Sequence, residues 1–208
     1  MKQFSKLTIL GILIFTSIVS KAQTQKSIGI NLVPLIAKTL EINGEVKPKQ
    51  WFAINAGTGY TFNTNYSGII RWNIGDNTKD RQTSGWFLKS SFLFYPTGLK
   101  GKERKTRFFV GAGLALSTYN QSLTYIPFGS SEEPERTMTY KGALLSPIAS
   151  IGFTSKIASR IYLNWGLQHA FYIPREGVIG TGRYNYQPGL GGQPSEYLQG
   201  IVALKYTF

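Results

Sequence analysis

Large apolar side chains alternate with polar or small ones along most of the chain after residue 22. In residues 161–172, most odd positions carry Ile, Leu, Trp or Phe, and most even positions carry Asn, Gln, Gly or Ala. The same period of two runs through residues 51–62, 107–119 and 202–208. It is typical of strands with two different faces, because successive side chains of a strand point to opposite sides. The pattern therefore predicts an all-β chain.

We predict eight strands, joined by connections that alternate between short and long. The strands cover residues 26–33, 38–47, 51–62, 85–96, 106–120, 139–154, 160–172 and 195–208. The short connections are 48–50, 97–105 and 155–159, and the long ones are 63–84, 121–138 and 173–194. Residues 34–37 form a short loop on the long-loop side. We treat residues 67–74 as loop or as an extension of a neighbouring strand, because a ninth strand would place the chain ends on opposite sides. Pro147 cannot donate a ladder hydrogen bond and predicts a bulge in the sixth strand.

Strand length and side-chain character favour a barrel that spans a membrane. A tilted spanning strand needs roughly 9–11 residues, and most predicted strands have about 10–14. We therefore expect an antiparallel up-and-down transmembrane β-barrel with its large apolar face in lipid. A soluble carrier barrel is the alternative, with that face inside. Aromatic residues near the predicted strand ends suit interfacial girdles: Trp51, Phe62, Trp86, Tyr95, Phe108, Tyr119, Tyr162, Tyr172, Tyr206 and Phe208.

The smaller face would line a lumen that an eight-stranded barrel fills with its own side chains. A channel is therefore doubtful, although a narrow pore stays an alternative. The inward polar residues that would hydrogen-bond across this lumen are Asn55, Lys89, Tyr95, Tyr162, Gln168 and Gln199.

The first 22 residues have the layout of a secretory signal peptide. Lys2 and Lys6 precede an apolar run over residues 7–19, and small residues follow at Ser20 and Ala22. The run is too short for a spanning helix, which needs about 20 apolar residues. We expect cleavage between Ala22 and Gln23, which leaves residues 23–208 as one barrel domain.

Composition removes several classes of catalytic and metal site. The 208 residues include no cysteine and one histidine. Disulfides, thiolate ligands and sites with two imidazoles are therefore excluded. His169 has Leu167 and Phe171 two positions away, where a lipid-hydrolysing barrel would carry the serine nucleophile. We predict no catalytic residue, no metal and no cofactor, with a lipid-modifying enzyme around His169 as an alternative.

The formal charge is +13, and its excess gathers at the short-turn end of the predicted barrel. We predict a basic rim there, whose positive charge would attract anionic lipid headgroups. Ordinary solvated turns are an equally good interpretation of the same residues. Nucleic acid is not an expected partner, because the cluster lacks a base-stacking platform. The rim consists of Lys100, Lys102, Arg104, Lys105 and Arg107.

The chain resembles the small outer-membrane β-barrels of the OmpA/OmpX type, and most of all the barrel families of Bacteroidota. The residues that carry the resemblance are residues 1–22, the strand opening 31–34, the glycine pairs 57/59 and 111/113, and the C-terminal 203–208. Leu204, Tyr206 and Phe208 resemble the C-terminal signal that the barrel-assembly machinery reads. The resemblance implies a bacterial outer-membrane location and a structural or surface-interaction role rather than an activity.

The partners that this resemblance implies are membrane components and proteins met outside the lipid. They are outer-membrane lipids and lipopolysaccharide, the assembly machinery, and an extracellular or envelope protein that contacts the long loops. Residues 125–128 and 184–188 give these loops aromatic and proline-containing tips for such contacts.

Overall fold

A computed structural model describes residues 24–65, 78–100, 104–125, 134–171, 188–190 and 197–208. They form eight antiparallel strands in a closed barrel, each paired with its neighbours in the chain, as predicted. The strands are β1 (Gln25–Asn31), β2 (Thr39–Lys49), β3 (Phe52–Thr64), β4 (Thr78–Phe94), β5 (Thr106–Tyr125), β6 (Arg136–Lys156), β7 (Ile161–Ala170) and β8 (Tyr197–Thr207). Short 3-10 turns at Val33–Ala37 and Pro96–Lys100 join β1 to β2 and precede β5. No helix among these residues is long and apolar enough to cross a membrane.

The barrel closes where the first strand meets the last. β1 pairs with β8 from Ser27 opposite Thr207 to Asn31 opposite Ala203. The N–H of Phe208 adds a hydrogen bond to the carbonyl of Lys26 at 3.1 Å. Closure satisfies backbone groups that an open sheet would leave unpaired at its edges. It also places both ends of the described barrel on the side of the short turns.

Three strands extend further on the long-loop side than the alternation predicted. β4 starts at Thr78, β5 ends at Tyr125 and β6 starts at Arg136, so much of the predicted loop 121–138 is strand. The β5–β6 register continues without interruption to the pair of Tyr125 and Arg136. Threonines pair across it, with the hydroxyls of Thr124 and Thr137 3.0 Å apart. Hydrogen-bonded pairing therefore continues past the point where apolar alternation ends.

The predicted bulge at Pro147 is wrong. The β5–β6 register runs straight through the pair of Leu114 and Pro147. The carbonyl of Pro147 accepts a hydrogen bond from the Phe171 N–H at 2.9 Å. In an antiparallel strand the N–H and C=O of one residue point to the same neighbour, so the position without an N–H also faces β7. It lies next to the last residue pair of β6 and β7, Ile148 with Ala170. The Ser146 hydroxyl donates to the Phe171 carbonyl at 2.7 Å. A side chain thus takes the place of the absent backbone donor, and no extra residue is needed.

The outer face of the barrel carries the large apolar residues, as the alternation predicted. Trp165 is 43% exposed and Leu114 is 52% exposed, and the smaller residues between them turn inward. The middle of the barrel carries no charged side chain on this face among the described residues. Lys26 lies near the start of β1, and Lys141 lies in the part of β6 that extends on the long-loop side. We call this surface the apolar belt. Its exposed members include Ile30, Ile42, Tyr60, Trp86, Leu88, Phe92, Val110, Leu114, Leu145, Ile151, Trp165, Leu167, Leu198 and Leu204.

The inner face is less uniformly polar than predicted. Phe87, Leu93, Tyr95 and Phe109 are buried in the lumen beside the expected polar residues. Tyr95 and Tyr162 were also expected in the aromatic girdles, but the strand alternation turns both rings inward. Glycines on the inner face leave space for these large side chains. A Cβ on Gly59 would collide with the Phe87 ring, and one on Gly111 would collide with Leu93.

Candidate functional site

Two glutamates of β2 point into the lumen at different depths. Glu41 and Glu45 each form an ion pair with a lysine from a strand that is not adjacent to β2. The first polar layer lies inside the lumen, nearer the long connections, and we call it the outer polar layer. In it, the Lys89 ammonium lies 2.7 Å from Glu41 Oε1, and both side chains are nearly excluded from solvent. Lys89 also donates to Gln199 Oε1 at 3.4 Å, and Gln168 donates to the same oxygen at 3.3 Å. The predicted cross-lumen contacts of Lys89, Gln168 and Gln199 are confirmed.

The inner polar layer lies closer to the short turns and is built around Glu45. Lys205 Nζ is 2.6 Å from Glu45 Oε2, and the Tyr95 hydroxyl donates to Oε1 at 3.3 Å. The Tyr95 hydroxyl lies 3.4 Å from Thr154 Oγ1, and the Lys47 ammonium sits 3.8 Å from the Tyr95 ring centroid. Charges buried here are compensated by close partners, which is the condition for tolerating them in a low-dielectric interior.

Between the two polar layers lies a small cavity of about 50 Å³. Asn43, Asn55 and Asn164 line it, and the Oδ1 atoms of all three lack a protein partner. Phe109 and Leu93 form part of its wall. The middle of the described lumen is therefore filled mostly by side chains, as expected of an eight-stranded barrel.

A segment of the third long connection folds back into the end of the barrel that carries the long connections, which we call the external end. Pro188 and Leu190 are almost fully buried, although residues 184–188 were predicted as an exposed loop tip. Leu190 packs with Ala115, Ile148 and Ala170, and Gln168 donates to the Gly189 carbonyl at 3.3 Å. That prediction was wrong for Pro188, because inward small residues leave an apolar recess that alternation along one strand does not reveal. We call Pro188–Leu190 the lumenal plug.

The plug depends on Gly189. Its φ is +73°, and a Cβ there would collide with the Phe87 ring. We expect Gly189→Val to expel the plug while leaving the barrel folded, because the side chain meets both strain and a clash. Limited proteolysis should then cleave the connection on either side of residue 189 at least about tenfold faster, since cleavage tracks the population of the open form. Gly44→Val is the control, because its Cβ would meet only the Ser27 carbonyl oxygen at 3.9 Å. Equal cleavage rates in the two variants would contradict this role of Gly189.

A basic cavity lies at the short-turn end, where several predicted rim residues meet. It measures about 320 Å³ and is lined by Arg104, Lys105, Arg107, Lys156, Ile157, Ala158 and Tyr162. Arg104 and Lys105 are exposed in the turn before β5. Arg107 is only 6% exposed, because odd positions of β5 face the lumen. We call this the basic mouth. Lys102 lies outside the described residues, and for Lys100 the structure gives the backbone course, at the end of its 3-10 turn.

The external extensions of β4, β5 and β6 form a three-stranded sheet beyond the apolar belt. Thr78 pairs with Tyr125, which pairs with Arg136. Exposed Thr137, Met138 and Thr139 follow in β6. Twenty residues of strand at about 3.3 Å each far exceed what a membrane crossing needs. We call this three-stranded sheet the external sheet, and it extends well beyond the apolar belt.

The remaining predicted sites differ in how far the structure places them. Leu204, Tyr206 and Phe208 lie on the outer face and are well exposed. His169 also lies there, in an edge-to-face contact with Phe171 at 4.6 Å between ring centroids. Its cross-strand partners are Ala149 and Leu198, so no serine or carboxylate lies beside it in the ladder. Ala22, Gln23 and residues 67–74 lie outside the described residues.

No family model matches the sequence, and no curated protein matches it. Solved structures do match. A major outer membrane protein from Thermus thermophilus is 12% identical, with a TM-score of 0.51, over 89% of this chain and 98% of that one. The N-terminal β-barrel domain of Pseudomonas aeruginosa OprF is 9% identical, with a TM-score of 0.48, over 90% and 98%. Ail, the attachment invasion locus protein of Yersinia pestis, is 7% identical, with a TM-score of 0.44, over 89% and 97%.

The match to the Thermus protein establishes the fold. The chain is a small closed antiparallel β-barrel of the type found in outer-membrane proteins. This confirms the predicted eight-stranded antiparallel up-and-down barrel and its resemblance in fold to small outer-membrane barrels. Membership of the Bacteroidota families stays a prediction.

Proposed function

We propose that the protein is an integral barrel of the bacterial outer membrane with a structural or surface-interaction role. One observation carries the proposal: along the middle of the barrel, the charged side chains point inward and the outer face is apolar. Lys89, Glu41 and Lys205 are buried in the lumen, whereas Leu114 and Trp165 are about half exposed on the outer face. Lys and Glu are rarely buried in soluble proteins, and contiguous exposed apolar surface marks a membrane or an interface.

The shape of this apolar surface favours lipid over a protein partner. The belt runs round the barrel on all eight strands rather than forming a patch on one side. Aromatic residues lie toward both of its margins, with Trp86 and Tyr60 on the external side and Phe94 and Tyr206 on the other. Barrels that cross membranes have such a band with aromatic girdles. In the soluble-carrier alternative this face would be inside, so the observed arrangement argues against that alternative.

The filled lumen favours a structural or surface role over conduction. The ion pairs at Glu41 and Glu45 cross the lumen, and Leu190 of the lumenal plug packs inside the barrel near its external end. The external sheet supplies the surface that a partner or lipopolysaccharide would contact. The basic mouth faces the periplasm in this orientation. Recognition of Leu204, Tyr206 and Phe208 by the assembly machinery, and cleavage after Ala22, belong to the same proposal.

Membrane fractionation tests the location. We expect the protein in the outer-membrane fraction, resistant to extraction by salt and alkali, because the belt is solvated by lipid. Its gel mobility should change on heating, since an unheated barrel stays compact in detergent. Protease added to intact cells should cut near residues 125–136 of the external sheet. Recovery as a soluble periplasmic protein would overturn the proposal.

A further inference from the structure

The basic mouth brings together four cations, and none of the described residues that line it is a carboxylate. Arg104, Lys105, Arg107 and Lys156 all line the cavity. Among the described residues, none of the four forms an ion pair, and the buried pairs use Lys89 and Lys205 instead. A solvated turn would explain the exposed Arg104 and Lys105. It does not explain Arg107, whose side chain is buried on the lumenal face of β5.

The described neighbours of Arg107 in its strand ladder and on its lumenal side are uncharged. Its cross-strand partner is Thr154, and the nearby Tyr95 interacts with it electrostatically. The closest polar layer with a described carboxylate holds Glu45. This carboxylate already accepts hydrogen bonds from Lys205 and Tyr95, and Lys47 also attracts it electrostatically. Burying a cation without a counter-charge is costly unless an anion completes the site.

We propose that the basic mouth is a binding site for a phosphate monoester. A guanidinium presents paired N–H donors that match two phosphate oxygens, and lysines add point charge. Arg107 would supply the buried fork, and Lys156 would supply charge from the neighbouring strand β6. Ile157, Ala158 and the Tyr162 ring form an apolar wall for the carbon skeleton. A cavity of about 320 Å³ lies at the small end of ligand pockets, with room for a phosphate and a short organic group.

The direction of the opening bears on the source of the phosphate. Arg107 and Tyr162 point into the lumen, away from the apolar belt on the opposite face of their strands. A soluble phosphate ester can enter along the barrel axis. A phospholipid headgroup would have to pass over the turn at residues 157–160. The geometry therefore favours the soluble source, although the same phosphate chemistry would serve both.

Calorimetric titration of the full chain in zwitterionic detergent tests the site, with sn-glycerol 3-phosphate as the probe and glycerol as the uncharged reference. We expect saturable binding of the phosphate ester alone. Arg107→Gln should weaken it about tenfold or more, and Arg107→Lys by less, because lysine keeps the charge but loses the fork. Lys156→Gln, at a partly exposed position, should weaken it several-fold and covers the case in which Arg107 variants fail to fold.

Lys26→Gln is the matched control, since it removes one cation at the same barrel end from the outer face. It should change the affinity less than about twofold, since it contacts no part of the cavity. Absence of saturable binding, or an equal loss in Lys26→Gln and Lys156→Gln, would overturn the proposal. Native mass spectrometry with phosphatidic acid, a lipid whose phosphate is also a monoester, separates the sources. A lipid adduct lost in Arg107→Gln but kept in Lys26→Gln would assign the site to a headgroup, and adducts equal in both would assign it to the soluble ester. The titration uses purified protein, so it stands apart from the fractionation result.

Discussion

Lys89→Met is expected to lower the free energy of unfolding by about 3–5 kcal/mol, because it leaves the Glu41 carboxylate buried without its counter-charge. Glu41 is 4% exposed, and its other partner is the amide of Asn31 at 3.3 Å. Methionine approximates the length of lysine, so lost packing contributes little. Urea unfolding of the barrel in lipid vesicles, followed by tryptophan fluorescence, measures the change.

Two further variants separate the ion pair from a general effect of losing a lysine. Lys141→Met removes an exposed lysine beyond the apolar belt and should leave stability nearly unchanged. The double variant Lys89→Met with Glu41→Leu should recover much of the loss, because replacing both members of a buried pair by apolar groups is often neutral. If Lys89→Met were no more destabilising than Lys141→Met, the buried pair would not contribute as the geometry indicates.

Leu114→Arg is expected to destabilise the membrane-inserted barrel by about 2–4 kcal/mol, the cost of a cation at mid-bilayer depth on a lipid-facing strand. Leu114 is 52% exposed and lies near the middle of the belt, opposite Ser90 and Pro147. The same unfolding measurement in vesicles applies. Met138→Arg is the control, because Met138 is also an exposed apolar residue but lies on the external sheet.

These two variants also discriminate between lipid and water as the surroundings of the belt. In water, an arginine at a half-exposed leucine position would change stability little, since surface substitutions usually have small effects. Equal stability of the Leu114 and Met138 variants would therefore contradict the membrane assignment. A loss confined to the Leu114 variant agrees with it.

Most of the inward and outward assignments could be made from the sequence alone. Trp165 and Leu204 lie outside, and Lys89, Gln168 and Gln199 lie inside, as the alternation predicted. Such assignments are local, because side-chain direction along a strand follows from the pleat. They were incomplete where the inner face carries bulk, as at Phe87 and Phe109, because an aromatic residue suits either side of a small barrel.

The candidate site was harder to predict, because it combines strands that are distant in sequence. The basic turn residues Arg104, Lys105 and Arg107 were found from charge alone. Tyr162 was predicted to face the lumen, and Lys156 contributes to the positive charge of this end. Nothing in the sequence placed either residue beside Arg107. The plug at Leu190 was hidden for the same reason: its recess is built by Ala115, Ile148 and Ala170 from three strands.

By itself, the sequence determined the fold class, the number and order of strands, and which face of most strands meets the surroundings, because the period of two is a property of consecutive residues. Only the tertiary structure decided which inward residues share a layer: Glu41 with Lys89, Glu45 with Lys205, and Arg107 with Lys156 and Tyr162. Those meetings depend on strand register and on barrel closure. Both are settled by pairing between distant segments, which no single strand encodes.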